Sequence, residues 1–246
     1  MRRRARVLET RDVGPYRWLA CENAGPLPRP GQFYMLATVE RWGAGEAERP
    51  FLPRAFSYLR AEGDRLEFLW EDVGPGTRRL SELRPGEELW LLGPLGNGFE
   101  RDRRPLLVGG GIGIVPLACW QDAVGGVALL GFRDAVHGGA AGLMRGEVKL
   151  ATDDGSLGHH GFVTELLAAE LEMDDVTVYA CGPPPMLETV RAICAERDVP
   201  AQLALEAGMA CGFGACFGCV VPTRDGYVRL CVDGPVLQAA ALEGVQ

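Results

Sequence analysis

Near residue 100 the chain changes period, and that change limits the architectures open to it. From about residue 4 to residue 100, short apolar runs follow one another with Pro and Gly between them: RARVLET, YRWLACE, GQFYMLATV, RAFSYLRA, DRLEFLWEDV and EELWLLG. Many short β runs punctuated by turn residues indicate an antiparallel barrel or sandwich. One helix interrupts them at GPGTRRLSEL, where Thr77 is the expected N-cap and Leu80 and Leu83 recur at i, i+3. Beyond residue 100 the order becomes apolar strand, glycine loop, helix: RPLLVGGGIGIVPLACW, GVALLGF, EVKLAT with GFVTELLAAE, and DDVTVYACGPPPMLETVRAICAERDVP. Strands alternating with helical patterns build a parallel sheet. In the last helix Leu187, Val190 and Cys194 mark the buried face, and Pro184 and Pro185 open it, where a missing N–H costs little. A final strand, AQLALE, runs straight into a cysteine-rich loop. The expected fold is α/β plus all-β: an antiparallel β-barrel over 1–100, a parallel-sheet α/β domain over 101–205, and a C-terminal cysteine-loop subdomain over 206–246.

A length of 246 residues suits two modest domains with real cores. The net charge of -8 comes with no basic stripe beyond the N-terminal RRRAR, so neither nucleic acid nor an acidic membrane surface is an expected partner. No run of eighteen apolar residues occurs and no apolar signal core follows the first ten residues; the expectation is a cytoplasmic protein with no membrane span or secretory leader. Four of the eight cysteines fall within the last 36 residues. In a chain without an export signal that clustering points to metal or cluster ligation rather than disulfides. Cys21, Cys119 and Cys194 are scattered and read as small buried apolar residues.

Cys211, Cys216 and Cys219 stand in the pattern C-x4-C-x2-C, with eleven residues between Cys219 and Cys231. That is the plant-type 2Fe-2S spacing, in which thiolates of one loop and one later segment hold two bridged irons. The fourth cysteine comes early, so VVPTRDGYVRLC must be a short hairpin, turning at Asp225-Gly226, that brings Cys231 back. Gly212, Gly214 and Gly218 suit a backbone that wraps a cluster closely and aims N–H groups at sulfur. A four-cysteine zinc site is the alternative, but it normally uses paired C-x2-C knuckles at longer separation.

LLVGGGIGIVP gives the strand, glycine loop and helix that place a phosphate at a helix N-terminus, although glycine is missing where Ile114 or Pro116 stands in a strict G-x-G-x-x-G. A tight structural turn is the competing reading. Asp134, closing GVALLGFRD, is either a ribose-binding acid or a surface loop aspartate. Cys181 and Gly182 end another parallel strand, on the sheet edge that carries the Gly109–Gly113 loop. In the barrel half, Arg54–Ser57 (RAFS) and Gly74–Thr77 (GPGT) form a candidate anion cradle, Arg54 pairing with phosphate and the N–H groups of Gly76 and Thr77 facing it. His159 and His160 read as a solvated loop.

A barrel with R-x-x-S and G-x-G-T, a GGGIGIVP unit with CGPPPM, and a terminal CGFGACFGC loop together resemble the ferredoxin reductase superfamily. Within it the chain is similar over nearly its whole length to the electron transfer subunits of B-type dihydroorotate dehydrogenases, most sharply at LEAGMACGFGACFGCVVP and YVRLCVDGPV. The resemblance implies an FAD-binding barrel contacted through Arg54, Ala55, Phe56 and Ser57, through Leu69, Trp70 and Glu71, and through Gly76 and Thr77. It implies Cys211, Cys216, Cys219 and Cys231 as ligands of the 2Fe-2S cluster. NAD would bind the α/β domain, with Gly110, Gly113 and Cys181 on the nicotinamide side. No catalytic residue for dihydroorotate is present, so the implied partner is an FMN-containing dihydroorotate dehydrogenase catalytic subunit, in a heterotetramer of two of each. One departure stands out: similar subunits often carry a basic residue before VVGxGT, whereas this chain has WEDVGPGT, with Glu71 and Asp72.

Redox logic supports the same assembly. NADH carries two electrons as a hydride and a 2Fe-2S cluster takes one at a time, so a flavin must stand between them. An NAD(P)H-dependent flavin and iron-sulfur reductase subunit serving a ferredoxin, a sulfur reductase or a hydrogenase is the alternative enzyme. A zinc-bearing interaction module is the non-enzymatic one.

Overall fold

The computed structural model describes residues 2–40, 42, 51–171 and 175–245. Strands β1 (Arg2–Val13), β2 (Tyr16–Glu22), β3 (Phe33–Thr38), β4 (Arg54–Glu62), β5 (Arg65–Glu71) and β6 (Glu88–Leu95) close into an antiparallel barrel in the order β1-β2-β5-β4-β3-β6. Closure leaves no unpaired strand edge. Helix α1 (Pro75–Ser81) lies between β5 and β6 and buries Leu80. Thr77 is not its N-cap: Gly74 holds that position, and the Thr77 hydroxyl turns back to accept from the Val73 and Gly74 N–H groups, 3.0 Å each. Pro75 takes the first helical position at no hydrogen-bond cost, which moves the start of the helix three residues upstream of the expected one.

Side chains alternate across a strand, and here both faces of several barrel strands are buried, in different cores. On β3, Tyr34 and Leu36 point into the barrel, whereas Phe33 and Met35 join a second core that contains Cys219, Leu230 and Cys231. On β2, Leu19 and Cys21 point inward, while Tyr16, Trp18 and Ala20 pack with Leu59 and Leu69 against α2 (Ile114–Val124). This double use is why YRWLACE and FYMLAT read as continuous apolar runs.

The second half is a sheet built from β7 (Arg104–Gly110), β8 (Val127–Phe132), β9 (Val148–Thr152), β10 (His159–His160), β11 (Val176–Cys181) and β12 (Ala201–Ala204), all parallel. Parallel sheets are covered on both faces. The barrel and α2 cover one side, and α4 (Val163–Glu170) and α5 (Pro184–Glu196) the other. A four-residue helix, α3 (Ala135–Gly138), follows β8. Past the cysteine loop come the hairpin of β13 (Val220–Thr223) and β14 (Gly226–Arg229), then β15 (Val236–Gln238), which pairs antiparallel with β12 and ends the order β10-β9-β8-β7-β11-β12-β15. Thr223 pairs with Gly226, so the hairpin turns at Arg224 and Asp225, one residue before the expected place. The two halves are also joined by Arg60 of β4, a buried guanidinium 2.6 Å from Asp122 of α2 that donates to the Leu143 carbonyl at 2.7 Å. Among the described residues, no helix is long and apolar enough to cross a membrane.

Candidate functional site

Two regions carry the chemistry-bearing residues: the cysteine loop and a cleft at the carboxyl edge of the parallel sheet. In the loop, the Cys216 thiol acts on Cys211 and the Cys219 sulfur on Cys231, so the four thiols fall into two neighbouring pairs. Four cysteines in two pairs are the donors that a 2Fe-2S cluster would require. Among the described residues, no group of three or more His, Cys, Asp or Glu side chains is gathered tightly enough to hold a single ion. Backbone N–H groups supply further polar contacts: Gly214 donates to Cys231 Sγ at 3.1 Å, Cys231 to Cys219 Sγ at 3.4 Å and Gly218 to Cys216 Sγ at 3.5 Å. Gly212 and Gly214 have φ of 79° and 87°, which a side chain would resist. Phe217 has φ of 56°, and no sequence signal marks that strained turn.

Burial and hydrogen bonding divide the thiols. Burial raises Cys211, but N–H groups of Phe213, Cys216 and Ala215 and the Cys216 thiol outweigh it and draw it down to about 6, favouring the thiolate a metal needs. Cys231 is pushed up to about 12, first by burial and then by the Cys219 sulfur beside it, crowding that a bound iron would relieve. Cys219 and Cys231 are buried and Cys216 is exposed, so one side of the loop faces solvent. Phe213 and Phe217 are exposed there, 58% and 63% accessible, and the Arg229 guanidinium lies 5.2 Å from the Phe217 ring while donating to the Gly214 carbonyl at 3.2 Å.

The barrel candidates meet at one spot. A Cβ on Gly76 would meet Arg54 Nε at 2.5 Å, so the Arg54 guanidinium lies on the bare backbone of the first turn of α1. The N–H groups of Gly76 and Thr77 have no intrahelical acceptor. Arg54, Ala55, Phe56 and Ser57 form a half-buried run on β4, open to a ligand, whereas Tyr58 and Leu59 beyond them are buried. Leu69 and Trp70 are buried, and Trp70 is committed to the barrel interior through its indole N–H to Ser81 Oγ at 3.0 Å. Only backbone atoms of these two can face a cofactor. Met35 and Ala55 are cross-strand partners, and Met35 also touches the cysteine loop, so this cradle and the cluster loop share a strand pair.

The cleft has a volume of about 850 Å³. Gly110 and Gly113 line it, with Tyr16 and Glu71 from the barrel and Arg133, His137 and Asp153 from the sheet edge. A Cβ on Gly113 would collide with the Cys181 carbonyl, and one on Gly110 would meet Met186 Sδ at 2.6 Å. The glycines thus let two strand ends close up and leave backbone bare toward the cleft. Cys181 sits behind that wall; burial, then the charge of Glu206, keeps its thiol well above the ordinary range. Asp134 caps α3, accepting from the His137 N–H at 2.9 Å and facing His137 Nδ1 at 2.7 Å, while Asp153, which the sequence reading passed over, lines the cleft. Glu206 opens on the same space, and protein packed around it raises its carboxyl. His159 is on the surface, 2.7 Å from Glu165.

Comparison with known proteins decides the family. The iron-sulfur cluster binding domain of dihydroorotate dehydrogenase B matches residues 206–243. The electron transfer subunit of dihydroorotate dehydrogenase B (NAD(+)) from Caldanaerobacter subterraneus subsp. tengcongensis is 37% identical, the alignment covering 96% of each chain. This chain belongs to the dihydroorotate dehydrogenase B electron transfer subunit family. A second member, from a Geobacillus species, is 40% identical over 85% of each chain. Among solved structures, the NADH-dependent reduced ferredoxin-NADP oxidoreductase superposes with a TM-score of 0.82 over 98% of this chain and 90% of its own, at 23% identity, and so shares the fold. The family assignment agrees with the ferredoxin reductase-like architecture: barrel, parallel sheet and C-terminal iron-sulfur domain.

Proposed function

We propose that this chain is the electron transfer subunit of a dihydroorotate dehydrogenase B, passing electrons from dihydroorotate oxidation on a partner subunit by way of a 2Fe-2S cluster and FAD to NAD+ in pyrimidine (UMP) biosynthesis. The observation that carries this reading is the packing of the cysteine loop on the β3–β4 strand pair that bears the Arg54–Ser57 cradle, with the dinucleotide cleft opening at the adjacent sheet edge. When bound, the flavin exchanges a hydride with NAD and single electrons with the cluster.

The residues divide the work. Cys211, Cys216, Cys219 and Cys231 hold the irons, and the Gly214 N–H bonds a ligand sulfur and moderates its charge. Arg54 and the backbone N–H groups of Gly76 and Thr77 hold the flavin's pyrophosphate, Ala55, Phe56 and Ser57 line its seat, and Leu69, Trp70 and Glu71 contribute backbone. Gly110 and Gly113 admit the dinucleotide close to the sheet edge, and Cys181 shapes the wall behind it. Residues 1–100, 101–205 and 206–246 serve as the FAD, NAD and cluster units, the last sending β15 back to the NAD sheet. The cluster's outer side, with Phe213 and Phe217, faces an FMN-containing catalytic subunit in an assembly of two of each. A cytoplasmic location fits eight cysteines that form no disulfide among the described residues.

Co-expression with an FMN-bearing dihydroorotate dehydrogenase tests this reading. The expected result is a stable complex that oxidises dihydroorotate with NAD+; no complex and no NAD+-dependent oxidation would overturn it.

A further inference from the structure

The departure at Glu71 gains a role from what stands across the cleft. Glu71 ends β5 in the barrel, and Arg133 follows β8 in the sheet half; Arg133 Nη2 lies 3.4 Å from Glu71 Oε1. This is a single-point pair between side chains 61% and 31% accessible, the kind that holds little on its own. Both residues line the cleft. In the register of β7 and β8, Gly110 lies beside Gly131, so Arg133 leaves the sheet next to the glycine turn that starts α2. No side chain caps α2, its first turn holds no acidic residue, and a Cβ on Gly111 would meet nothing within 4 Å. The 3-10 turn Gly111–Gly113 that leads into α2 therefore presents the backbone of Gly111, Ile112 and Gly113 to the cleft, while the Ile114 N–H is bonded to the Gly111 carbonyl.

The charges lining the cleft sharpen the point. Its acids are Glu71, Asp153 and Glu206; its basic side chains, among the described residues, are Arg133 and His137, and His137 is held by Asp134. A ligand bearing two phosphates therefore has one guanidinium to meet, and that group is paired with Glu71.

We propose that Arg133 is the cation for the pyrophosphate of the incoming nicotinamide dinucleotide and that Glu71 is its exchangeable placeholder. The dinucleotide displaces the carboxylate, and Arg133 passes from a one-point pair to charge-assisted hydrogen bonds with phosphate. Glu71 then faces a phosphate across the cleft and weakens its hold. That competition suits an acceptor that must leave at every turnover. The inference rests on the reading of the cleft as the NAD site.

The test uses the holoprotein with FAD and cluster in place and measures the binding of ADP-ribose, with adenosine as the phosphate-free probe. Arg133→Gln should weaken ADP-ribose about tenfold to a hundredfold, leaving adenosine binding and FAD content unchanged. Glu71→Gln should tighten ADP-ribose about two- to fivefold, and by less in the Arg133→Gln background. Equal ADP-ribose affinity in Arg133→Gln and parent overturns the proposal while leaving the NAD site standing. Loss of FAD from Arg133→Gln with ADP-ribose binding intact overturns it by assigning the guanidinium to the flavin. A parent protein that binds no ADP-ribose overturns both the proposal and the NAD reading of the cleft.

Discussion

Met35 of the barrel and Gly212 of the cysteine loop lie so close that a Cβ on the glycine would meet Met35 Cγ at 2.5 Å. Met35 is the cross-strand partner of Ala55, so a single side chain separates the cluster loop from the Arg54–Ser57 seat. Gly212 also has φ of 79°, which leaves two reasons for a glycine there.

Gly212→Ala is therefore expected to destabilise the loop by about 1–3 kcal/mol, combining overpacking with backbone strain. Iron and acid-labile sulfide per chain should fall while FAD content holds. A variant with full cluster content and unchanged melting temperature would show that the contact is not tight.

The joint between the halves depends on Arg60 and Asp122. Removing Asp122 leaves the buried Arg60 guanidinium with only the Leu143 carbonyl, so Asp122→Ala should cost about 2 kcal/mol in chemical unfolding. Arg145 and Glu62 form an exposed pair at 2.8 Å, and because Arg145 also lies 3.6 Å from Asp122 the control is Glu62→Ala, which should change stability by less than about 0.5 kcal/mol. Similar losses in the two variants would remove the argument from burial.

Much of this architecture was legible in the chain. The six barrel strands were marked by turn residues on both sides, and the parallel strands by their glycine loops. What escaped was set by tertiary contacts. Thr77 looked like an N-cap because threonine favours that position, but Pro75 starts the helix earlier and the Thr77 hydroxyl closes the preceding loop. β15 is three residues long, too short for a periodic signal, and exists because the edge of β12 accepts it. At the site, cysteine spacing identified the loop, whereas the Glu71–Arg133 pairing joins residues 62 apart in sequence and no local pattern announces it. Asp134 drew attention by its place after β8, yet its carboxylate is engaged in capping α3.

Glu206 supplies a pH signature. Protein packed around the Glu206 carboxyl raises it above the ordinary value of 4.5 although the residue is exposed to the cleft, so the folded state holds its proton somewhat more tightly than the unfolded chain. Its favourable contribution is full below the unfolded value and is lost as pH rises through the folded one. Glu206→Gln should thus match the parent below the ordinary carboxylate range and exceed it modestly in melting temperature as pH rises above that range. Parallel profiles across that range would contradict the shift.

At the outer side of the cluster, Phe217→Ser should weaken the complex with the catalytic subunit by about 1–2 kcal/mol, with iron content and melting temperature preserved. Titration calorimetry or surface-immobilised binding reads it. Unchanged affinity would place the partner elsewhere.

The central claim, that this chain relays electrons between a dinucleotide and a cluster, is tested most directly by anaerobic titration of the isolated holoprotein with NADH, watched by electron paramagnetic resonance. The account predicts that the reduced 2Fe-2S signal appears as NADH is added and is abolished when FAD has been removed. A cluster that stays oxidised while the flavin bleaches, or one reduced by NADH without FAD, would contradict it.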